Sequence, residues 1–307
     1  MARYLAGRIG QAALTVLFLL TFVFAAIRLT GDPTNLLLPA EATQQDRDLL
    51  RQSLHLDQPL LRQYASFLED LARGDLGRSY KYEVPVTELI RERLPATLKL
   101  AFMAGGLTLL LGVPFGIVAA QHRRHLADHL TLLVALIGQS VPIFVIALVA
   151  VLIFSVNLHL LPVAGVDSPL GYVLPVVTLA WFGVAAIIRV TRVSMIGVLE
   201  SEYIVTARAK GLPQRDIIYV HALRNALIPI VTMFSLVFAT LLTGTVVTET
   251  MFSIPGVGRL AVESILNRDF PVVQAVVILV TVIYVAINLA VDILYGFIDP
   301  RTRSGGR

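Results

Sequence analysis

Three histidines in the stretch QHRRHLADH, His122, His125 and His129, recur at spacings of three and four. That register would set imidazoles on one helical face like metal ligands. The setting argues otherwise: the stretch is short, basic and flanked by long apolar runs, so contact with headgroups or a partner protein is expected instead. His55 and His159 are isolated and imply nothing. Other reactive constellations are missing from the sequence. There is no cysteine, which excludes disulfides, thiolate metal sites and cysteine nucleophiles. None of the lysines, Lys81, Lys99 and Lys210, is preceded by glycine and followed by serine or threonine. The phosphate-cradling loop Gly-x-x-x-x-Gly-Lys-Ser/Thr is therefore absent, and neither HExxH nor GxSxG occurs.

The densest charge lies in EYIVTARAKGLPQRDIIYVHALRNALIP, from Glu202 to Pro229, where Glu202, Arg208, Lys210, Arg215, Asp216 and Arg224 interrupt a chain that is 56% hydrophobic and only 15% charged. Soluble domains are nearer one quarter charged, so this is a polytopic membrane protein. Placing those charges in lipid would cost about 3 kcal/mol each, roughly 18 kcal/mol together. The segment must lie outside the bilayer. A net charge of +4 over 307 residues marks loops on the cytoplasmic side of a membrane rather than nucleic-acid binding.

These charges are positioned by long apolar runs. A spanning helix needs about 20 apolar residues, and six runs qualify: Ile9–Ile27, Leu98–Ala120, Leu130–Val156, Tyr172–Ile188, Ala226–Thr248 and Val272–Val291. The first is longer than the apolar part of a secretory leader, and AAIRLT is a poor cleavage site, so a retained anchor is expected. Six spans put both termini on one side. If that side is cytoplasmic, it receives Arg3, Arg8, Arg123, Arg124, Arg189, Arg192, Arg208, Lys210, Arg215, Arg224, Arg301, Arg303 and Arg307. The two short loops opposite hold only Arg259 and Arg268. The first loop is long enough to escape the charge rule. Both termini and the charged segment are thus expected inside.

Within that segment, SEYIVTARAK offers Ser201 as an N-cap, acid early and base late to suit the helix dipole, and Gly211 where a left-handed residue would end the helix. Pro213 suits the start of a second helix running through Ile217, Ile218 and Leu223 towards the fifth span. Tyr203, Ala207 and Lys210 fall on one side of the first helix, and the small Ala207 and Ala209 permit close approach. Such a form fits a partner's groove or a rest on anionic lipid; shape alone does not choose.

At these residues the chain resembles a known family. TARAKG followed by HALRNALIP is similar to the cytoplasmic loop of bacterial ABC-importer permeases, in the branch transporting dipeptides, oligopeptides and nickel. Against the broader importer consensus, Ala207, Gly211 and Leu223 match, whereas Val205 and Thr206 replace its Glu and first Ala, and His221 and Arg224 replace its Ile and Pro. Further motifs follow in order: GDP (Gly31–Pro33), DQPLLRQYASFLEDLARGDLGRSY (Asp57–Tyr80), VTELIRERLPATLKLA (Val86–Ala101), ETMFSIPGVGRL (Glu249–Leu260) and NRDFP (Asn267–Pro271). Together they resemble the first permease subunit of that branch over nearly the whole chain.

The resemblance implies an all-α integral membrane protein with six transmembrane helices, type I ABC-importer-like, both termini cytoplasmic. Its parts would be a first transmembrane helix (1–28), an extracytoplasmic helical insert (29–97), a five-helix core (98–296) with a coupling loop (198–225) and an outer loop (249–271), and a cytoplasmic tail (297–307). It further implies a second homologous permease subunit, two cytoplasmic ABC ATPases that carry ATP and Mg, an extracytoplasmic solute-binding protein, membrane lipid and a peptide solute. No nucleic acid, metal, cofactor or catalytic residue belongs to this chain on that reading. ATPase coupling would fall on Glu202, Tyr203, Ala207, Arg208, Ala209, Lys210, Gly211, Leu212 and Arg215. Of these, Arg208, Lys210 and Arg215 would tune docking by charge, and Tyr203, Ala207 and Leu212 would supply packed contact. Rival readings are a nickel or other small-solute importer and a stand-alone secondary transporter or channel. Against the last, no matched pair of broken helices or internal repeat is evident.

Polar interruptions of the apolar runs are path candidates by default, and the small ones serve equally as packing positions. They are Gln139, Ser140 and Pro142 in the third run, Thr240, Thr243, Gly244 and Thr248 in the fifth, and Asn288 and Asp292 in the sixth. Outside the membrane, Thr43–Leu54 and Pro59–Arg73 read as amphipathic helices that either receive the binding protein or pack on the bundle. In FSIPGVGRLAVESILNRDFP, Gly256 and Gly258 allow a turn before a short helix with an Arg259–Glu263 pair. Glu249, Pro255, Gly256, Gly258, Arg259, Arg268 and Asp269 are the candidates for contact with the binding protein. Glu249, where the fifth span ends, is expected to bond to the loop itself.

Overall fold

A computed structural model describes residues 2–29, 43–53, 56–166 and 168–298. The Gly31–Pro33 motif, His55 and the tail residues Arg301, Arg303 and Arg307 lie outside the described residues, as does the Asp292 side chain. The chain folds as helices: α1 (Ala2–Leu29), then α2 (Gln44–Ser53) and α3 (Leu60–Ala72) of the insert, then α4 (Val86–Gln121). Next come α5 (Leu126–Ser140) and α6 (Ile143–Ala150), the latter continuing as a π-helix over Val151–Asn157. A 3₁₀ turn (Pro169–Tyr172) leads into α7 (Val173–Leu199), followed by the short α8 (Glu202–Ala209). The single turn α9 (Gln214–Asp216) and a π-helix (Ile217–Ala222) run on into α10 (Leu223–Met251). The short α11 (Val257–Leu266) and the long α12 (Phe270–Ile298) complete the chain.

Five continuous helical stretches are long and apolar enough to cross a membrane: Ile9–Ala26, Val86–Gln121, Pro169–Leu199, Gln214–Met251 and Phe270–Ala290. The third run departs from the expected straight span. It breaks between Ser140 and Ile143, and α5 and α6 meet at 107°. Pro142 has no N–H to give the Gly138 carbonyl, and its ring disfavours helical geometry at the residue before it. Val141 is accordingly extended, at φ −90° and ψ 125°. The second helix also begins earlier than the apolar run, at Val86, because ELIRERLPA is helix-forming although polar and needs no lipid around it. The insert therefore closes at Pro85, where a lone backbone bridge pairs Arg78 with Pro85.

Helix α7 is the axis of the bundle. Its spanning stretch is 61% buried, against 6% for α1, and α4, α5, α6 and α10 all lie against it. Lipid tails offer no hydrophobic drive for helix association, so close backbone approach and dispersion must supply it. Gly112 and Gly116 on α4 provide that approach. A Cβ on Gly116 would sit 2.5 Å from Thr191 Cβ and 2.8 Å from the Ile188 carbonyl of α7. Gly183 on α7 gives the same relief towards Thr108 and Val237. Large side chains such as Leu14, Phe18, Phe22 and Leu110 project outward, as a lipid-facing rim requires.

Replacing Gly116 by leucine should lower stability by about 1–3 kcal/mol through overpacking. Gly106, which has open space around it, is the control. Thermal unfolding in detergent should show a lower midpoint for Gly116→Leu and little change for Gly106→Leu.

Candidate functional site

Three separate places hold the polar residues singled out in the sequence. The first is the elbow between α7 and α10. After Leu199 the chain turns through Glu200 and Ser201 into α8, which ends at Gly211 with φ +75°, a left-handed conformation that glycine adopts without strain. Pro213 stands just before α9 as its cap rather than as its first residue. Ser201 occupies the N-cap position, but its hydroxyl donates backwards to the Val198 carbonyl at 2.5 Å and leaves the helix N–H groups alone.

The elbow is anchored by a residue the sequence reading overlooked. Ile204 is 0% exposed and lies in the same apolar cluster as Ile217, Ile218 and Ala222, with α8 against the π-helix. Asn225 Nδ2 donates to the Tyr203 hydroxyl at 2.8 Å, tying α8 to the start of α10. Leu212 is half-buried: it packs on the apolar cluster and keeps part of its surface open. Tyr203 and Val205 are exposed. Glu202, Arg208, Ala209, Lys210, Gly211 and Arg215 are all exposed, and Ala207 is half-buried.

The histidine-bearing loop is fastened to this elbow. Arg123 pairs with Glu200, and Arg192 of α7 makes a bidentate bond to Asp128 of α5, with Nε and Nη2 at 2.5 and 2.8 Å from its two oxygens. Asp128 also accepts from the Arg124 N–H at 3.0 Å, holding that residue at φ +65°. Arg192 is therefore committed within the protein and is not a free headgroup contact. The histidine rings do not converge: His122 Nδ1 lies 3.0 Å from the Val118 carbonyl and His125 Nδ1 lies 3.1 Å from that of Arg123.

The second place is a cavity of about 480 Å³ at the α5–α6 break. It gathers Gln139 and Ser140 from α5 with Thr240 and Thr243 from α10, side chains far apart in sequence. Thr178 and Trp181 of α7 join them, which the sequence reading missed although both are polar interruptions of an apolar span. Thr248 and Asn288 are not among its walls. Thr248 is buried and its hydroxyl donates to the Gly244 carbonyl, because its helical position turns it from the cavity into the core. Asn288 Nδ2 donates to the Tyr284 carbonyl on α12.

The third place is the outer loop, where two proposed contact residues prove to be internal struts. Glu249 is 0% exposed. Its carboxylate accepts from Thr97 Oγ1 at 2.7 Å and from the Arg259 N–H at 2.9 Å, while Thr97 Oγ1 itself accepts from the Val257 N–H at 2.8 Å. The carboxylate thus meets the N-terminus of α11, whose unpaired N–H groups favour negative charge. Gly256 has no Cβ because Glu249 occupies that space. Asp269 is also buried and accepts from Ser79 Oγ at 2.5 Å, the Tyr80 N–H at 3.0 Å and the Lys81 N–H at 3.3 Å. Neither carboxylate can touch another protein. Gly256 and Gly258 are buried as well, Arg259 is paired with Glu263, and only Pro255 and Arg268 of the set face outward.

With this architecture in place, comparison with known proteins is decisive. Residues 112–304 match the family described as "Binding-protein-dependent transport system inner membrane component", and residues 1–101 match its N-terminal companion. The chain belongs to this family. It is a multi-pass inner-membrane permease of the ABC-importer class. A Brucella abortus (strain 2308) protein named as a permease of a peptide transport system is 40% identical over 313 residues, covering 99% of each chain. The glutathione transport system permease protein of Escherichia coli (strain K12) is 40% identical over 290 residues, covering 94% of each. Among solved structures, the inward-facing MetNI methionine ABC transporter shares the fold. Its TM-score is 0.59 at 18% identity, over 69% of this permease and 97% of that chain.

If Asp269 pins the insert to the outer loop, Asp269→Ala should cost about 1–3 kcal/mol locally, since it leaves several donors unpaired. Hydrogen exchange at the Tyr80 and Lys81 amides should accelerate markedly, with amides of the α7 core unchanged.

Proposed function

We propose that this permease forms half of a translocation pathway for short peptides. A second homologous permease subunit would supply the other half, and two cytoplasmic ABC ATPases would drive the cycle through the α7–α10 elbow. The elbow carries the proposal. A short helix is seated by a fully buried Ile204 and stopped by a left-handed Gly211, and it presents Arg208, Lys210 and Arg215 to the outside. A stiff, charged projection with a packed root can transmit motion as a rigid body. The Asp128–Arg192 and Arg123–Glu200 pairs extend that stiffness to the neighbouring loop.

ATP and Mg belong, on this reading, to the ATPase subunits, since the chain has no phosphate-cradling loop. The basic residues clustered at the elbow, at Arg123 and Arg124, and beyond the last helix support a cytoplasmic side for both termini and the elbow. The outer loop then faces an extracytoplasmic solute-binding protein, with Pro255, Arg268 and the exposed Ile265 and Leu266 as its reachable surface. Peptide as the solute rests on the relatives, which are named for peptide and glutathione transport. Those names give the nickel alternative no support, and neither does the arrangement of His122 and His125.

Two experiments test the coupling. Proline is confined to φ near −65°, so Gly211→Pro cannot reproduce the +75° turn. It should abolish ATP-driven uptake of a labelled dipeptide and reduce co-purification of the ATPase by about tenfold, roughly 1.4 kcal/mol, with the permease still inserted. Unchanged ATPase association would refute the elbow's role. Separately, vesicles holding this permease alone should accumulate no dipeptide against a gradient; uphill uptake without companions would favour a secondary transporter.

A further inference from the structure

Helix α3 of the insert has a wider apolar face than its contact with α1 uses. Its Tyr64 and Phe67 rings lie 5.2 and 5.6 Å from the Phe24 ring of α1, centre to centre. The Tyr64 hydroxyl is 2.6 Å from Thr21 Oγ1. Thr21 already donates to the Leu17 carbonyl at 2.8 Å, so Tyr64 is the donor. At about 100° per residue, Leu61, Ala65, Leu68 and Ala72 form a second apolar stripe roughly a quarter-turn round from that contact. Leu61 is 85% exposed, Ala65 and Ala72 are exposed with it, and Leu68 is half-buried. The polar arc carries Arg62, Ser66, Glu69, Asp70 and Arg73, all exposed, with Arg73 and Glu69 paired at 2.5 Å.

The contact with α1 fixes the depth of this helix. Thr21 and Phe24 belong to the spanning stretch Ile9–Ala26, and at about 1.5 Å per residue they sit roughly 8 and 3 Å inside its end. That is the level where acyl chains give way to headgroups and where amphipathic helices lie along a membrane. Tyr64 suits it, with a ring in the apolar layer and a polar tip. Towards the middle of the span, the face of α1 that holds Thr21 continues through Leu17 and Leu14, 48% and 69% exposed. The free stripe of α3 therefore adjoins the surface that α1 presents to lipid. A carrier protein arriving from water would meet the charged arc instead.

We propose that α3 is an interfacial helix, held along the bilayer surface by Leu61 and Leu68 inserted among the acyl chains, with its charged arc turned to water. The partner of the free stripe is lipid, neither the outer face of the bundle nor a solute-binding protein. Only the crossing of the membrane by α1 is required; solute and ATPase coupling do not enter.

The chain has no cysteine, so single cysteines can be introduced and labelled with a nitroxide one at a time. The full-length permease carrying Leu61→Cys, Arg62→Cys, Ala65→Cys, Ser66→Cys, Leu68→Cys or Glu69→Cys is reconstituted in phosphatidylcholine vesicles. Collisions of each label with oxygen, which concentrates among acyl chains, are compared with collisions with a water-soluble nickel chelate. At Leu61, Ala65 and Leu68 oxygen access should exceed nickel access by about threefold or more, and the preference should reverse at Arg62, Ser66 and Glu69. Helical circular dichroism should not change, since each label replaces a side chain on the open part of α3. Dominant nickel access at Leu61 puts the stripe in water and overturns the proposal. Low access to both reagents there means that protein covers the stripe, and overturns it equally. A profile without helical alternation across the six positions does the same.

Discussion

The permease depends on how closely α4 can approach α7. In a bilayer, the surfaces of two apolar helices gain little by leaving lipid for each other. What they can gain is dispersion, which falls away steeply with a gap of even half an ångström. Gly112 and Gly116 remove the side chains that would hold the backbones apart, and Ile187 and Thr191 of α7 occupy the space. Gly183 repeats the device on α7 itself, where Thr108 of α4 and Val237 of α10 occupy the space. With α7 held on two faces, it becomes the fixed member against which α5, α6 and α10 are placed.

Everything polar in the bundle is arranged about that axis. Near one end, Arg192 of α7 grips Asp128 of α5; further along, Thr178 and Trp181 face the break between α5 and α6. Beyond Leu199 the helix passes directly into the elbow, whose short helix is rooted by Ile204 and tied by Asn225 to α10. A displacement imposed on the elbow therefore reaches both long helices that wall the cavity. Through α5, which the Asp128–Arg192 pair binds to α7, it also reaches the break itself. On the proposed function, coupling and solute path would form one mechanical unit, connected through packed elements rather than through flexible loops.

The opposite end is held by buried carboxylates. Glu249 joins α4, α10 and the start of α11, and Asp269 joins the insert to the segment before α12. Each is surrounded by N–H and O–H donors, which is how a carboxylate can be withdrawn from water without an opposing cation. These struts make the outer loop a firm lip. The surface left for another protein is correspondingly small: Pro255, Arg268 and the tip of α11, where Leu266 is 79% exposed.

Apolar runs, their punctuation and the charge between them are properties of the sequence, and they determined the helical membrane class, the elbow and its glycine stop, and the short outer helix. Length and composition suffice there because lipid forces every backbone polar group to be satisfied within a helix. The sequence could not reveal the break in the third span from hydropathy, since stretches such as IALVAVLIF look the same straight or bent, and only the placement against α7 and α10 shows what Pro142 does. Nor could it separate Glu249 and Asp269, which are internal struts, from Arg268, which is open. Partners 152 and 190 residues away, Thr97 for Glu249 and Ser79 for Asp269, decide that distinction. Whether a polar side chain binds its own protein or something else depends on which distant helix arrives beside it, and that is a matter of tertiary packing alone.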